Sequence, residues 1–280
     1  MAWDERQTRM LAEMGIRLWP SPHSGEHRAA VPADVAPPST RPAERVGGEA
    51  PASQDPTAGP VARASGSDVP AREAVAADRG ARPVGVQTMD WTALRAAVAD
   101  CTACALSRGR TNTVFGVGHE QAHWMVVGEA PGEQEDRLGE PFVGKAGQLL
   151  DNMLRALGLT RRVDNADARP EQQVFIANVL KCRPPMNRNP LPDEVAQCAP
   201  YLARQVALVQ PRLILAMGRF AVQSLLRTSE PIGRLRGRVH HYQGVPTIVT
   251  YHPAYLLRNP ADKARAWDDL CLAREVMGRA

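Results

Sequence analysis

Four short apolar runs, each set apart from the next by segments of helical periodicity, constrain this chain more than any other feature. They are HWMVV from His123 to Val127, VFIANV from Val174 to Val179, Leu213 to Ala216, and Val245 to Val249. A run without polar alternation is a strand covered on both faces, and strands joined through helices pair in parallel. Between them, Leu149, Leu150, Met153, Leu154 and Leu157 share one face of a helix predicted from Lys145 to Leu157. Further helices are predicted over Trp91–Val98, Asp193–Val209 and Phe220–Arg227, with a short one at Ala254 and a last one from Asp262 to Met277. The expected fold is therefore α/β, three layers (α/β/α) around a small central four-stranded parallel sheet. Ligands of such sheets bind beyond the carboxyl ends of the strands, and this chain places its least ordinary residues there.

The pattern begins only near Asp90. Eleven of the 24 prolines fall between Pro20 and Pro83, a stretch without Phe, Trp, Tyr or Cys. Too little apolar surface is on offer there to offset chain entropy, so residues 20–88 are expected to be a disordered linker and 89–280 the folded domain. Ahead of the linker, Met10, Leu11 and Met14 recur at helical spacing within residues 1–19. That segment is either a docking peptide for a protein partner or a frayed helix end. Residues 1–88 carry 10 basic and 11 acidic side chains and residues 89–280 carry 24 and 19, so the folded part holds the positive balance and admits a polyanionic partner. No run of eighteen apolar residues is present, and the first residues, MAWDERQTRM, carry acids in the first turn and no apolar core ahead of a small-residue cleavage site, unlike a secretory signal. The chain is thus expected to be cytoplasmic, free of the membrane and monomeric.

A cytoplasmic chain keeps thiols reduced, so its five cysteines call for metal or chemistry rather than disulfides. Cys101 and Cys104 form a CxxC turn, Cys182 lies 78 residues further on beyond the second strand, and Cys198 another 16 on, inside the next helix. Four thiolates so placed suit zinc or an iron–sulfur cluster; a redox CxxC with two buried structural cysteines is the alternative. Cys271, alone in the last helix, is expected to be a small buried hydrophobe.

The first strand runs into GEAPGEQEDRLGEPFVGKAGQLLD, where glycines and a helix start admit close approach of a ligand but no GxxxxGK[ST] phosphate loop is present. With FIANVLKCRPPMNRNPLPDE and TYHPAYLLRNP, it resembles the three signature regions of the family 4 uracil-DNA glycosylases, the iron–sulfur branch of their superfamily. The resemblance covers residues from about 90 to 277. It implies a [4Fe-4S] cluster held by Cys101, Cys104, Cys182 and Cys198, and removal of uracil from single- or double-stranded DNA by hydrolysis of the N-glycosidic bond. A DNA-binding iron–sulfur module without catalysis is the competing reading.

The same resemblance assigns roles. Phe142 stacks on the flipped base, Asn178 reads its Watson–Crick edge, and His252 stabilises charge developing at O2. Ala130 stands where the best-known branch of the superfamily has an aspartate; the resemblance gives Glu129 as the usual candidate for the water activator, with Glu133 as second choice and stabilisation of the cationic sugar as the other role for such a carboxylate. Glu129 and Ala130 belong to the uracil-binding loop. Leu256 is aligned with the wedge that fills the gap in the duplex, ahead of Tyr255 and Leu257, and Arg258 follows it. Arg234, Arg236 and Arg238 alternate in GRLRGRVH, which on an extended segment turns all three toward phosphates.

Overall fold

The strands earn their burial by alternation. In a computed structural model that describes residues 82–162 and 169–279, β2 (Trp124–Gly128), β3 (Val174–Asn178), β4 (Leu213–Met217) and β6 (Val245–Thr250) pair in parallel in the order β3-β2-β4-β6. Side chains of successive residues point to opposite faces, so each strand feeds two cores. Trp124, Val126, Ile176, Leu213, Leu215 and Ile248 join one; Met125, Val127, Phe175, Ala177, Ile214, Ala216 and Val249 join the other. The first core is closed by α3 (Lys145–Ala156), α7 (Pro253–Arg258) and α8 (Lys263–Arg279), through Leu150, Met153, Leu256, Trp267 and Leu270. The second is closed by α1 (Trp91–Ala99), α4 (Pro192–Val209) and α5 (Arg219–Leu226), through Leu94, Val98, Tyr201, Val206 and Val222. Two short helices, α2 (Glu133–Leu138) and α6 (Ile232–Leu235), lie in the connections. The three-layer α/β/α expectation holds.

Helix starts follow local chemistry. The Asp90 carboxylate accepts from the Ala93 N–H at 2.8 Å and caps α1. Pro192 opens α4, while Glu194 accepts from the Leu191 N–H at 2.9 Å and takes both ends of the Arg188 guanidinium at 2.6 and 2.9 Å.

Three expectations need correction. Among the described residues the sheet has six strands, because β1 (Val117–Gly118) and β5 (Val239–Tyr242) add antiparallel edges beside β3 and β6. β5 is joined to β6 by Gln243 and Gly244, both at positive φ (50° and 82°), a two-residue hairpin turn whose twist suits paired strands. The segment from Arg234 to Arg238 is not extended: Arg234 sits in α6, Arg236 ends it, and Gly237 turns the chain at φ 72°. The fold also starts earlier than residue 89. Val86 is buried in the second core and the Arg82 guanidinium donates to the Gln197 carbonyl at 3.4 Å. The segment 1–19 and most of the 20–88 stretch lie outside the described residues.

Candidate active site

Where β2 and β3 end side by side, Gly128 is paired with Asn178. A Cβ on Gly128 would run into the Asn178 Oδ1 atom and stand 2.6 Å from the Phe142 Cζ atom, so only glycine lets the amide and the ring meet here. Asn178 is buried, and its Oδ1 has no hydrogen-bond partner within the protein. A buried, unanswered acceptor is costly unless something supplies a donor, which marks this atom as facing a ligand.

Around it opens a cleft of 760 Å³ lined by Glu129, Ala130, Pro131 and Gly132 after β2, by Phe142, by Asn178, by Arg219 and Phe220 at the start of α5, and by His252, Ala254, Tyr255 and Arg258. It lies beyond the carboxyl ends of the parallel strands, as the topology requires. Phe142 is 5% exposed, and its ring stacks on the His252 imidazole at 5.3 Å with 26° between the planes. Its backbone is left-handed at φ 55°, an uncommon state for a residue with a bulky side chain. Gly147 in α3 makes room for it, since a Cβ there would collide with the Phe142 carbonyl. The Glu135 Oε1 atom accepts from the Val143 and Gly144 N–H groups at 3.0 and 3.3 Å and fixes the next residues.

His252 caps α7. Its Nδ1 accepts from the Ala254 N–H at 3.1 Å, which leaves the ring proton on Nε2. Burial, helped by the Arg258 guanidinium and opposed by Glu135, lowers its pKa to about 4. The imidazole is therefore a neutral donor at physiological pH. Glu129 moves the other way: burial raises its carboxyl to about 7, against the pull of the Arg219 guanidinium. One cleft thus holds a carboxyl that titrates near neutrality and an imidazole that stays neutral and can only donate or accept a hydrogen bond.

The structure brings Glu129, Ala130, Phe142, Asn178, His252 and Arg258 into this cleft. Glu133 is not there; its exposed carboxylate meets Arg183 at 3.3 Å. Leu256 cannot be the wedge, because it is wholly buried in the core between α3 and α8. Its neighbour Leu257 is 44% exposed. Arg236 is also withdrawn: it donates to Asp269, itself fully buried, at 2.8 Å and lies over the Tyr251 ring at 4.9 Å. Arg234 is exposed, Arg238 reaches Glu230 at 3.7 Å, and neither lines the cleft. Sequence reasoning passed over Arg219 and Lys181 and gave Glu135 no individual role. Lys181 is buried, with its ammonium donating to the Asn178 carbonyl at 2.7 Å and to the Gln205 Oε1 atom at 2.6 Å. A lysine directly after an apolar strand was the available signal.

The other side of Lys181 faces the cysteines. Cys182 and Cys198 are buried with Leu106 and Leu180, and Cys104 packs against them. Arg110 donates to the Cys182 Sγ atom at 3.1 Å and to the Cys101 carbonyl at 2.7 Å, tying the CxxC turn to the end of β3. Burial raises the thiols of Cys104 and Cys182, and that of Cys198 to about 12, with the neighbouring cysteines adding to each rise. Such thiols become thiolates only against a positive centre. Among the described residues no group of three or more His, Cys, Asp or Glu side chains is arranged around a single metal ion. Cys104, Cys182 and Cys198 share one apolar pocket and Cys101 packs against the edge of the second core; four soft thiols are donors of the kind that zinc or an iron–sulfur cluster takes.

The sequence that builds this cleft has known relatives. Residues 115–271 match the family model of the Uracil DNA glycosylase superfamily, which defines the class of protein. The chain is also 40% identical over 190 residues to the type-4 uracil-DNA glycosylase of Archaeoglobus fulgidus, a match spanning 65% of this chain and 90% of that one. Against the type-4 uracil-DNA glycosylase of Pyrobaculum aerophilum the identity is 42% over 194 residues, 66% of this chain and 93% of the relative. The corresponding enzyme of Sulfurisphaera tokodaii is 42% identical over 188 residues, 64% and 81%. The chain belongs to the uracil-DNA glycosylase superfamily and, within it, to the type-4 family.

Proposed function

We propose that this protein removes uracil from DNA by hydrolysing its N-glycosidic bond, leaving an abasic site for base excision repair. The observation that carries the reading is the unanswered Asn178 Oδ1 at the floor of a cleft that also holds Phe142, a neutral His252 and a carboxyl poised near pH 7. Uracil presents N3–H to an acceptor and O4 to a donor, and the Asn178 amide supplies both; cytosine presents the opposite pair. The base must leave the helix stack to reach this floor, and its flat face then lies on Phe142. As the glycosidic bond lengthens, charge accumulates at O2, where the His252 Nε2–H donates without giving up its proton. An ionised Glu129 activates the attacking water or steadies the cationic sugar. The loop from Glu129 to Gly132 closes against C5 and excludes the thymine methyl.

Duplex DNA is gripped by Arg258 and the surface arginines Arg234 and Arg238, and Leu257 on α7 fills the gap left by the base. Cys101, Cys104, Cys182 and Cys198 hold a [4Fe-4S] cluster whose contribution is structural: it pins the CxxC turn and α4 to the end of β3. Among the described residues no helix is long and apolar enough to cross a membrane. A cytoplasmic monomer whose residues 1–19 dock a protein partner completes the proposal. Incubating the protein with a uracil-containing oligonucleotide, then alkali and a denaturing gel, tests the activity: strand breakage at uracil is expected, and an intact strand refutes it. Brown protein with bound iron is expected on purification; zinc in place of iron refutes the cluster.

A further inference from the structure

Phe142 keeps its ring in the cleft with a backbone that most residues avoid, and one side chain outside the cleft accounts for it. Arg161 follows α3 and does not line the cleft. Its guanidinium is only 17% exposed and is spent entirely on this corner of the molecule. Nη1 donates to the Pro141 carbonyl at 2.9 Å and Nη2 to the Phe142 carbonyl at 2.8 Å. Nη2 also donates to the Asp151 carboxylate on α3 at 2.8 Å. The Phe142 carbonyl is thereby held between Arg161 and the bare Cα of Gly147, in the place that gives Phe142 its φ of 55°. A fork with fixed geometry suits two successive carbonyls and a carboxylate; an ammonium does not.

We infer that Arg161 is a positioning residue for base excision, acting through Phe142: it locks the left-handed backbone that presents the ring, stacked on His252, to the extrahelical base. The inference rests on the uracil-excision reading given above. Two directions of release are closed by different partners. Glu135 holds the N–H groups after Phe142, and Arg161 holds the carbonyls before and at it. Without Arg161 the Pro141 and Phe142 carbonyls lose the hydrogen bonds described here, and Phe142 is freer to relax toward a β or right-handed conformation that turns the ring away from the base and from His252.

The test is single-turnover excision from a uracil oligonucleotide with enzyme in excess, alongside binding of the abasic product. Arg161→Gln is expected to slow excision 10- to 100-fold while product binding changes less than about threefold, because phosphate contacts are elsewhere. Arg161→Lys, which keeps the charge but not the fork, should recover only part of that loss. In a Phe142→Ala background, Arg161→Gln should cost less than about twofold, since the ring through which it acts is gone. Full-speed excision by Arg161→Gln overturns the inference, and so does an equal loss with and without the Phe142 ring. If Arg161→Gln does not fold, Asp151→Asn is read in its place, with a several-fold slowing expected and wild-type speed overturning the inference. Absence of excision by the unmodified protein refutes the activity itself, a separate outcome.

Discussion

The end of β3 serves two pockets of opposite character. On one side Asn178 faces a cleft of polar groups left open for a ligand; on the other, four residues on, Cys182 joins an apolar pocket of thiols. Lys181 stands between them and bonds the Asn178 carbonyl. Burial acts in both and does different things. In the cleft it brings Glu129 to about 7 and keeps His252 neutral, so that protonation states are tuned for chemistry. In the thiol pocket it raises Cys182 and brings Cys198 to about 12, so that these thiols ionise only where a positive centre compensates them. The lesson is that desolvation alone does not identify a catalytic site. What separates the two is the company of the buried group: an unpartnered acceptor and open volume in one case, a closed apolar shell in the other.

The contrast breaks most severely at the thiol pocket. Cys182→Ser is expected to lose the brown colour and most of the folded protein, whereas Cys271→Ser, packed at the edge of the first core, should keep both; absorbance and thermal melting check this. On the other side of β3, Gly128→Ala drives a methyl group into Asn178 and Phe142, and excision should fall roughly 10²- to 10³-fold, the scale of losing an oriented donor or acceptor in an active site. The melting temperature should move far less than with Cys182→Ser.

The titration of Glu129 sharpens the comparison. In the role proposed for it the carboxylate is the working form, and its ionised fraction grows as pH rises through about 7. Excision should therefore increase about tenfold per pH unit below 7 and level off above it, and Glu129→Gln should flatten the profile at a low rate. His252 is neutral across this range, so its replacement by Ala should lower the rate without moving the midpoint. The smallest effect is expected on α7. Leu257→Ala should slow excision from duplex DNA a few-fold and from single strands hardly at all. Leu256→Ala should instead destabilise the fold by about 2–5 kcal/mol, as removal of a buried leucine does. Equal behaviour of the two leucines contradicts their placement.

How far the molecule was legible in its residues follows from the same physics. The four parallel strands stood out because burial on both faces leaves uninterrupted apolar runs. The edge strands did not: β1 is two residues long, and β5, Val239–Tyr242, alternates exposed and half-buried positions with histidines at its centre. Asn178 and His252 were readable as strand-end residues within a motif, but Gly128 showed only as the turn after a strand, and its duty of making room for Asn178 and Phe142 needs the packing to be seen. Leu256 and Leu257 are adjacent and chemically alike, so only the rotation of α7 on α3 decides which is buried. Arg236 looked like a surface arginine because its partner, Asp269, is 33 residues away on α8. Arg161 gave no signal, since a side chain that holds backbone carbonyls needs no partner residue type.

The central claim is that Asn178 reads uracil at the floor of the cleft. Single-turnover excision from oligonucleotides carrying U, C or T at one position, by the unmodified protein and by Asn178→Asp, tests it most directly. The unmodified protein should excise U alone. Asn178→Asp should lose about 10³-fold or more on U and gain some activity on C, because an unpaired buried polar group is the penalty for the wrong edge. Asn178→Asp with unchanged rate and unchanged preference for U would contradict the account.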